Sequence, residues 1–474
     1  MRPKSQPEPA PRSPRMSDPR ARRRIWGWWF FDWASQPFAT LLLTFVFPIY
    51  FAEVATAHFA AEGAANPGAM AQQMWGYALA ISGIVIALMA PILGAIADTS
   101  GRRMPWIVGF SLIYVLGAYG TGLLQPDGAG LTRVLIFFGI GLIGLEFTTI
   151  FTNALMPTLA PREDLGRVSG SGFAFGYLGG LVALALMLGL FAESAATGLT
   201  LLGHAPALGL DPVQREGTRF AGTFTAIWYV VFMIPFFLWV REPRGPRQPV
   251  RIRAALGDLG RLLRGLPRRP SLMAWLIASM FSRDALNGLY AFAGVYAATV
   301  LGWPVIWSGV FGVLSAIAAA LISWLGGRAD RRLGPKPVIV GCTVVLIAVC
   351  TVAVGLTPAS LFGVPLPRGP MVGPMRLADL IFMLCGFFIG GFGGALQAAS
   401  RTMMLRHTSA ARATEAFGLY ALSGKATAFL APALIALVTG ISGSQRIGIS
   451  PLIVMFILSL VLLSWVKHEG EPEQ

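Results

Sequence analysis

The chain is short of charge. Asp, Glu, Lys and Arg make up 12% of its 474 residues, where a soluble domain carries about 25%, and this excludes an ordinary water-soluble globular protein. Cysteine is scarce too: Cys342, Cys350 and Cys385 all fall in apolar stretches, which excludes a disulfide framework. The four histidines, His58, His204, His407 and His468, lie in loops or at their edges. They are too dispersed for a metal site and leave no histidine relay inside the apolar segments. No phosphate-binding glycine loop, nucleophile–base pair or metal cluster is recognisable, so the chain is expected to be no enzyme and to need no cofactor or ATP.

What is abundant is apolar sequence. Hydrophobic residues make up 55% and mean hydropathy is +0.65, which marks a polytopic membrane protein. Segments of roughly 20 apolar residues number twelve: about 26–52, 75–97, 105–124, 132–156, 168–192, 220–240, 271–297, 304–326, 336–356, 376–400, 413–440 and 446–466. The net charge of +15 is spread between these segments, so a nucleic-acid partner is not expected. With the amino terminus inside, 29 of the 37 basic residues fall on inside segments, six on outside loops and two, Arg283 and Lys425, within spans. By the positive-inside rule both termini are cytoplasmic, and the expected location is the bacterial inner membrane.

The expected organisation is a disordered basic tail (1–24), a six-helix bundle (25–240), a cytoplasmic linker (241–270), a second six-helix bundle (271–466) and a short cytoplasmic tail (467–474). The first 24 residues are rich in Pro and Arg and lack a signal-peptide core. In the linker Ile252, Leu256, Leu259, Leu263 and Leu266 recur at helical spacing, with Arg253, Arg261 and Arg264 on other faces. That pattern fits either an amphipathic helix on the inner surface or a plain basic tether.

One string occurs twice. GAIADTSGRR (Gly94 to Arg103) and GGRADRRLGPK (Gly326 to Lys336) each set a Gly four residues before an Asp, then basic residues, in a tight turn between two apolar segments. Two copies at corresponding positions imply two homologous halves. Asp98 and Asp330 can accept hydrogen bonds from a neighbouring helix amino terminus or pair with local Arg while those ends are close, so Gly94, Asp98, Gly101, Arg102, Gly326, Asp330 and Arg331 are candidate gate residues.

Charges inside an apolar span are costly and usually face a cavity or a partner. Five qualify: Asp32, Glu146, Arg283, Asp284 and Lys425. Neighbouring Arg283 and Asp284 lie about 100° apart on a helix, so only one of them can face a given direction. Gln36, Asn153, Asn287 and Gln397 add neutral donors and acceptors suited to a zwitterionic solute. In the functional reading Lys425 or Arg283 holds an anionic group while Glu146 or Asp32 takes up a coupling proton. In the alternative all five form fixed interhelical ion pairs. Glycine-rich strings at Gly170–Gly180 and Gly418–Gly424 permit close helix approach, and Ile389–Ser400 is a candidate hinge.

The repeated loop resembles the signature of the major facilitator superfamily, matching at Gly94, Asp98, Gly101, Arg102 and Arg103 and again at Gly326, Asp330 and Arg331. The second copy carries one extra residue before Gly334. FFDWASQPFATLLLTFVFPIYF (Phe30 to Phe51), FGYLGG (Phe175 to Gly180), and GGALQAASRTMM with AFGLYALSGKATAFLAP (between Gly393 and Pro432) resemble the vacuole-effluxer-like branch. That branch is named for a fungal autophagy-associated protein implicated in releasing amino acids from the vacuole. The resemblance implies an all-α protein of twelve membrane helices in two pseudo-symmetric six-helix bundles. It also implies that spans one, four, seven and ten line the pathway, which places four of the five charges there.

The expectation is a monomeric secondary transporter of a small polar solute, with the bilayer, the solute and a proton as its partners. A drug or lipid exporter and a membrane sensor on a transporter scaffold are the rivals. Tyr177 stands where drug antiporters of the superfamily carry Pro, which counts against the first. No segment outside the spans is long enough for a folded sensor domain, which counts against the second.

Overall fold

The computed structural model describes residues 18–242, 252–303, 305–367, 369–372 and 375–471. The first helix, α1 (Pro19–Pro37), begins where the Asp18 carboxylate accepts the Arg20 N–H at 2.9 Å and Pro19 occupies the first turn. Its start lies inside the stretch read as a disordered tail; residues 1–17 of that tail lie outside the described residues. Pro37 then removes a helical donor. The chain widens into a π-turn at Phe38–Phe45 and bends at Val46 before resuming as α2 (Phe47–Ala61), so the first span runs 43 residues.

There follow α3 (Pro67–Ser100), α4 (Met104–Thr121), α5 (Leu131–Ala154), α6 (Leu165–Leu186), α7 (Glu216–Trp239), α8 (Ile252–Gly265), α9 (Pro270–Thr299), α10 (Val305–Leu333) and α11 (Pro335–Gly355). After α12 (Leu377–Arg406) come α13 (Ala413–Ala426), α14 (Leu430–Ser442), the single turn α15 (Gln445–Gly448) and α16 (Pro451–Leu463). Two small hairpins between α11 and α12, β1 (Ser360–Leu361) with β2 (Val364–Pro365) and β3 (Pro370–Val372) with β4 (Met375–Arg376), depart from the all-helical expectation in a loop.

Among the described residues eleven helices are long and apolar enough to cross a bilayer. The remaining expected span corresponds to α9, 30 residues long, whose centre is made polar by Arg283, Asp284 and Asn287. The segment expected at 413–440 is broken. Pro432 has no N–H to give residue 428, and its ring crowds that carbonyl. The helix therefore stops at Ala426 and restarts at Leu430, with Thr427 at φ −118°, ψ 10° between them.

Within the first half α4 packs on α5, and α1 on α6 and α7; within the second, α10 and α11 pack on α12, and α9 on α16. Two seams join the halves: α3 against α13, and α6 against α10 and α12. In the linker α8 lies along α3, where Leu259 is buried with Ala95 and Ile96 while Leu263 stays exposed. Residues 243–251, and the side chains of Ile252, Arg253 and Leu256, lie outside the described residues.

Candidate functional site

The end of the bundle that carries Asp98 and Asp330, called the basic end below, is where the halves meet. At the first repeated loop Gly94 makes this possible: a Cβ there would come within 2.7 Å of the Thr414 carbonyl oxygen on α13. The Asp98 carboxylate then reaches the amino terminus of α13, accepting the Glu415 N–H at 2.8 Å and the Thr414 N–H at 3.4 Å, an anion on the positive end of a helix dipole. Gly101 turns the chain with φ 68°, and Arg103 folds back on Asp98 at 2.8 Å. Arg103 also donates to Thr414 Oγ1 at 2.6 Å and to the Ala410 carbonyl at 2.8 Å across the seam. It is thus Arg103, and not Arg102, that clasps the halves; Arg102 donates its backbone N–H to Ser100 Oγ.

The second copy is built differently. Asp330 is buried, its Oδ2 accepting from Thr402 Oγ1 at 2.5 Å, and it sits against Gly166 at the start of α6. Arg331 Nε pairs with Asp164 at 2.8 Å, crossing to the first half. The close approach belongs to Gly327, which faces Gly166 and Gly170, whereas Gly326 packs on Ala395 within its own half.

One turn deeper the Arg401 guanidinium grips the Asp32 carboxylate in a two-pronged ion pair, Nη2 to Oδ1 at 2.9 Å and Nη1 to Oδ2 at 3.1 Å. Phe173, 3.9 Å from the guanidinium carbon, and Trp28 face it. Both side chains are less than a tenth exposed. Asp32 is therefore tied across the halves. Arg401 went unrecognised because it lies one residue past the span expected at 376–400, although it is one helical turn from Gln397.

At mid-depth Lys425 Nζ meets Glu146 Oε1 at 2.7 Å, joining α13 to α5. These side chains are 23% and 26% exposed, so the pair borders open space between the halves. Arg283 reaches the Tyr420 carbonyl at 2.8 Å and lies over the Tyr420 ring at 4.3 Å. With Asn287, Tyr290 and Gly294 it forms one stripe along α9, the last three exposed. The Tyr290 hydroxyl interacts with Tyr177 of α6 and Gln397 of α12, each tyrosine fitted against a glycine of α12, Gly393 and Gly394. Gln36 is half-buried against Gly180. Asn153 is buried, its Oδ1 without a partner among the described residues. Asp284 points away from the stripe and is 1% exposed. The structure thus brings Glu146, Lys425, Arg283, Asn287 and Gln397 around one layer, ties Asp32 below it, and leaves Asn153 and Asp284 in the packing. Tyr177 and Tyr290 complete the layer; nothing in their spacing distinguished them from core aromatics.

Two helix seams closed by glycines, a doubled loop at one end and a polar layer between halves constitute a transporter architecture, and the sequence match decides its kind. The description "vacuole effluxer Atg22 like" matches residues 20–473. The chain belongs to this family. Among its relatives is a Bacillus subtilis protein named as the uncharacterised MFS-type transporter YxiO, 24% identical over 94% of this chain and 95% of that protein. Another is autophagy-related protein 22 of Cryptococcus neoformans, 25% identical over 64% of this chain and 50% of that one. The human organic anion transporter MFSD10 shares the fold, with a TM-score of 0.65 at 15% identity over 94% of this chain and 100% of its own. This Atg22-like protein is an integral multi-pass membrane protein with the major facilitator fold and, as an MFS-type transporter, is not an enzyme.

In this Atg22-like chain the closed basic end is also strapped by the segment after α16. Arg162, from the first half, donates to the Glu469 carbonyl at 2.6 Å and the Arg406 carbonyl at 3.2 Å, and Arg406 pairs with the Glu469 carboxylate. Arg269 donates to the carbonyls of Glu471 and His407. His407 itself is buried, its Nδ1 3.0 Å from the Met403 carbonyl oxygen and its Nε2 2.9 Å from Ser271 Oγ. Burial pushes its pKa down to about 4, with Arg269 acting in the same direction and the Met403 carbonyl opposing.

An unfolded histidine takes its proton near pH 6.5, so between that pH and about 4 the unfolded chain binds more protons and stability rises with pH. The apparent melting temperature of purified protein is expected to fall as pH drops through this window. His407→Gln, which lacks the titrating ring, is expected to flatten that dependence, and a thermal-shift series across pH checks it.

Proposed function

We propose that this chain is a secondary transporter of a small zwitterionic solute, an amino acid being the simplest fit, driven by a proton gradient and working by alternating access. The observation that carries the reading is the Glu146–Lys425 pair. Two opposite charges 2.7 Å apart, one on each half and each about a quarter exposed, offer a carboxylate to an ammonium group and an ammonium to a carboxylate. A zwitterion entering between them replaces each partner with a charge of the same sign, so neither is left unpaired in a low-dielectric site. Asn287, Tyr290 and Gln397 supply neutral hydrogen bonds around it. The polar character of this layer speaks against a drug or lipid exporter.

In this reading the basic end is cytoplasmic, as the positive-inside rule requires. Asp98 with Arg103, and Asp330 with Arg331, latch it shut. Rocking then separates Gly94 from Thr414 and Gly327 from Gly170, exposing the layer to the inside. The protein works as a monomer in the bacterial inner membrane with both termini in the cytoplasm.

Purified protein in liposomes preloaded with each amino acid in turn is the test. Counterflow of labelled substrate is expected for at least one member of the panel, accelerated by an imposed pH gradient. Exchange of none, alongside exchange of an apolar drug or lipid, would sink the reading.

A further inference from the structure

The helix break in the second half encloses a group that the zwitterion layer does not use. Asp284 lies one turn from Gly288 on the face of α9 that packs on α14 and α16, where a Cβ on Gly288 would meet Ala431 and Leu452 at 3.0 Å. The Asp284 residue is 1% exposed, and among the described residues both carboxylate oxygens are buried without a hydrogen-bond partner. Facing it is Thr427, the non-helical residue between α13 and α14, whose Oγ1 is also buried and unpartnered.

The charges around it do not neutralise it. Its neighbour Arg283 turns to the Tyr420 carbonyl and ring. Elsewhere on α13, Lys425 is held by Glu146 and Glu415 lies at the basic end, paired with Arg412. On α12, Arg401 is held by Asp32 and Asp379 by Arg376, Arg406 pairs with Glu469 at the basic end, and Cys385 is a buried thiol. The basic residues of α10 and Asp330 lie at its basic end, and α14 and α16 carry no ionisable side chain. Among the described residues Asp284 has no ion-pair partner, and a buried carboxylate in that position is costly as an anion and cheap as an acid.

We propose that Asp284 is the proton carrier, resting on the transport reading above, with Thr427 as the hydrogen-bond acceptor of the protonated form. The carboxylate takes one proton from water to become a carboxylic acid, whose O–H donates to Thr427 Oγ1. Movement of α13 and α14 past α9 withdraws Thr427, hydrates the group and returns the proton to water. The break caused by Pro432 gives this acceptor its mobility, since Thr427 is outside both helical ladders.

The test reads the acid directly. Infrared difference spectra of purified native protein between neutral and alkaline pH are expected to show a carboxylic-acid carbonyl band that vanishes in Asp284→Asn and shifts in Thr427→Val. In liposomes a pH gradient of one unit supports at most about ten-fold accumulation for one proton per solute. Asp284→Asn is expected to lose that accumulation while retaining counterflow, which also shows that the variant is folded. A band unchanged in Asp284→Asn overturns the proposal, as does its removal by sodium at fixed pH. Absence of counterflow in the native protein with the band intact would defeat the zwitterion reading and leave the acid assigned.

Discussion

Lys425→Ala abolishes exchange of the transported solute, lowering the initial counterflow rate by on the order of a hundred-fold or more, while the protein remains folded in the membrane. The size follows from what is left behind. Removing one member of an ion pair in a low-dielectric site strands the other, at a cost of about 3–5 kcal/mol, and a hundred-fold change corresponds to roughly 2.7 kcal/mol. Glu146 would then be stranded in the resting protein, and the solute carboxylate in the loaded one. Lys425→Arg keeps the charge but changes its shape, and an intermediate rate is expected from it. Native-like rates in Lys425→Ala would remove the pair from the pathway.

The second large effect concerns closure. Asp32→Ala is expected to open the basic end, because Arg401 would be left buried beneath Phe173 with no counter-charge. The same 3–5 kcal/mol scale shifts the closed and open populations by about a hundred-fold or more. A cysteine replacing Ser169, whose hydroxyl bonds the Ala398 carbonyl across the seam at 2.8 Å in a fully buried position, reports this. Its labelling by a water-soluble maleimide should rise steeply in Asp32→Ala. The exchange Asp32→Arg with Arg401→Asp should restore protection. Equal labelling in all three backgrounds would mean that the pair does not hold the halves together.

These expectations were legible to different depths. The doubled loop announced a duplicated transporter fold because Gly–Asp spacing is a local pattern, and polar residues in apolar segments pointed to Glu146 and Lys425. The details that decide function depend on which neighbour folds back. Arg102 and Arg103 are equivalent on paper, and only the left-handed turn at Gly101 selects Arg103. Gly326 and Gly327 are adjacent, and only the rotation of α10 makes Gly327 the contact. Arg401 was hidden by a span boundary drawn one residue short. The break at Thr427 was signalled by Pro432, whose effect falls four residues upstream; a 20-residue hydropathy window averages across it. Asp284 and Arg283 showed that they must diverge, but which one faces the layer depends on the packing of Gly288 against α14 and α16.

The central claim is that Glu146 and Lys425 together recognise one zwitterion, and analogue competition in counterflow tests it most directly. Against a transported amino acid, its methyl ester, which lacks the carboxylate, and its N-acetyl form, which lacks the ammonium, should each compete at least about a hundred-fold more weakly than the parent, since each leaves one charge of the pair unmatched. Competition by either analogue as strong as that of the parent would contradict the account.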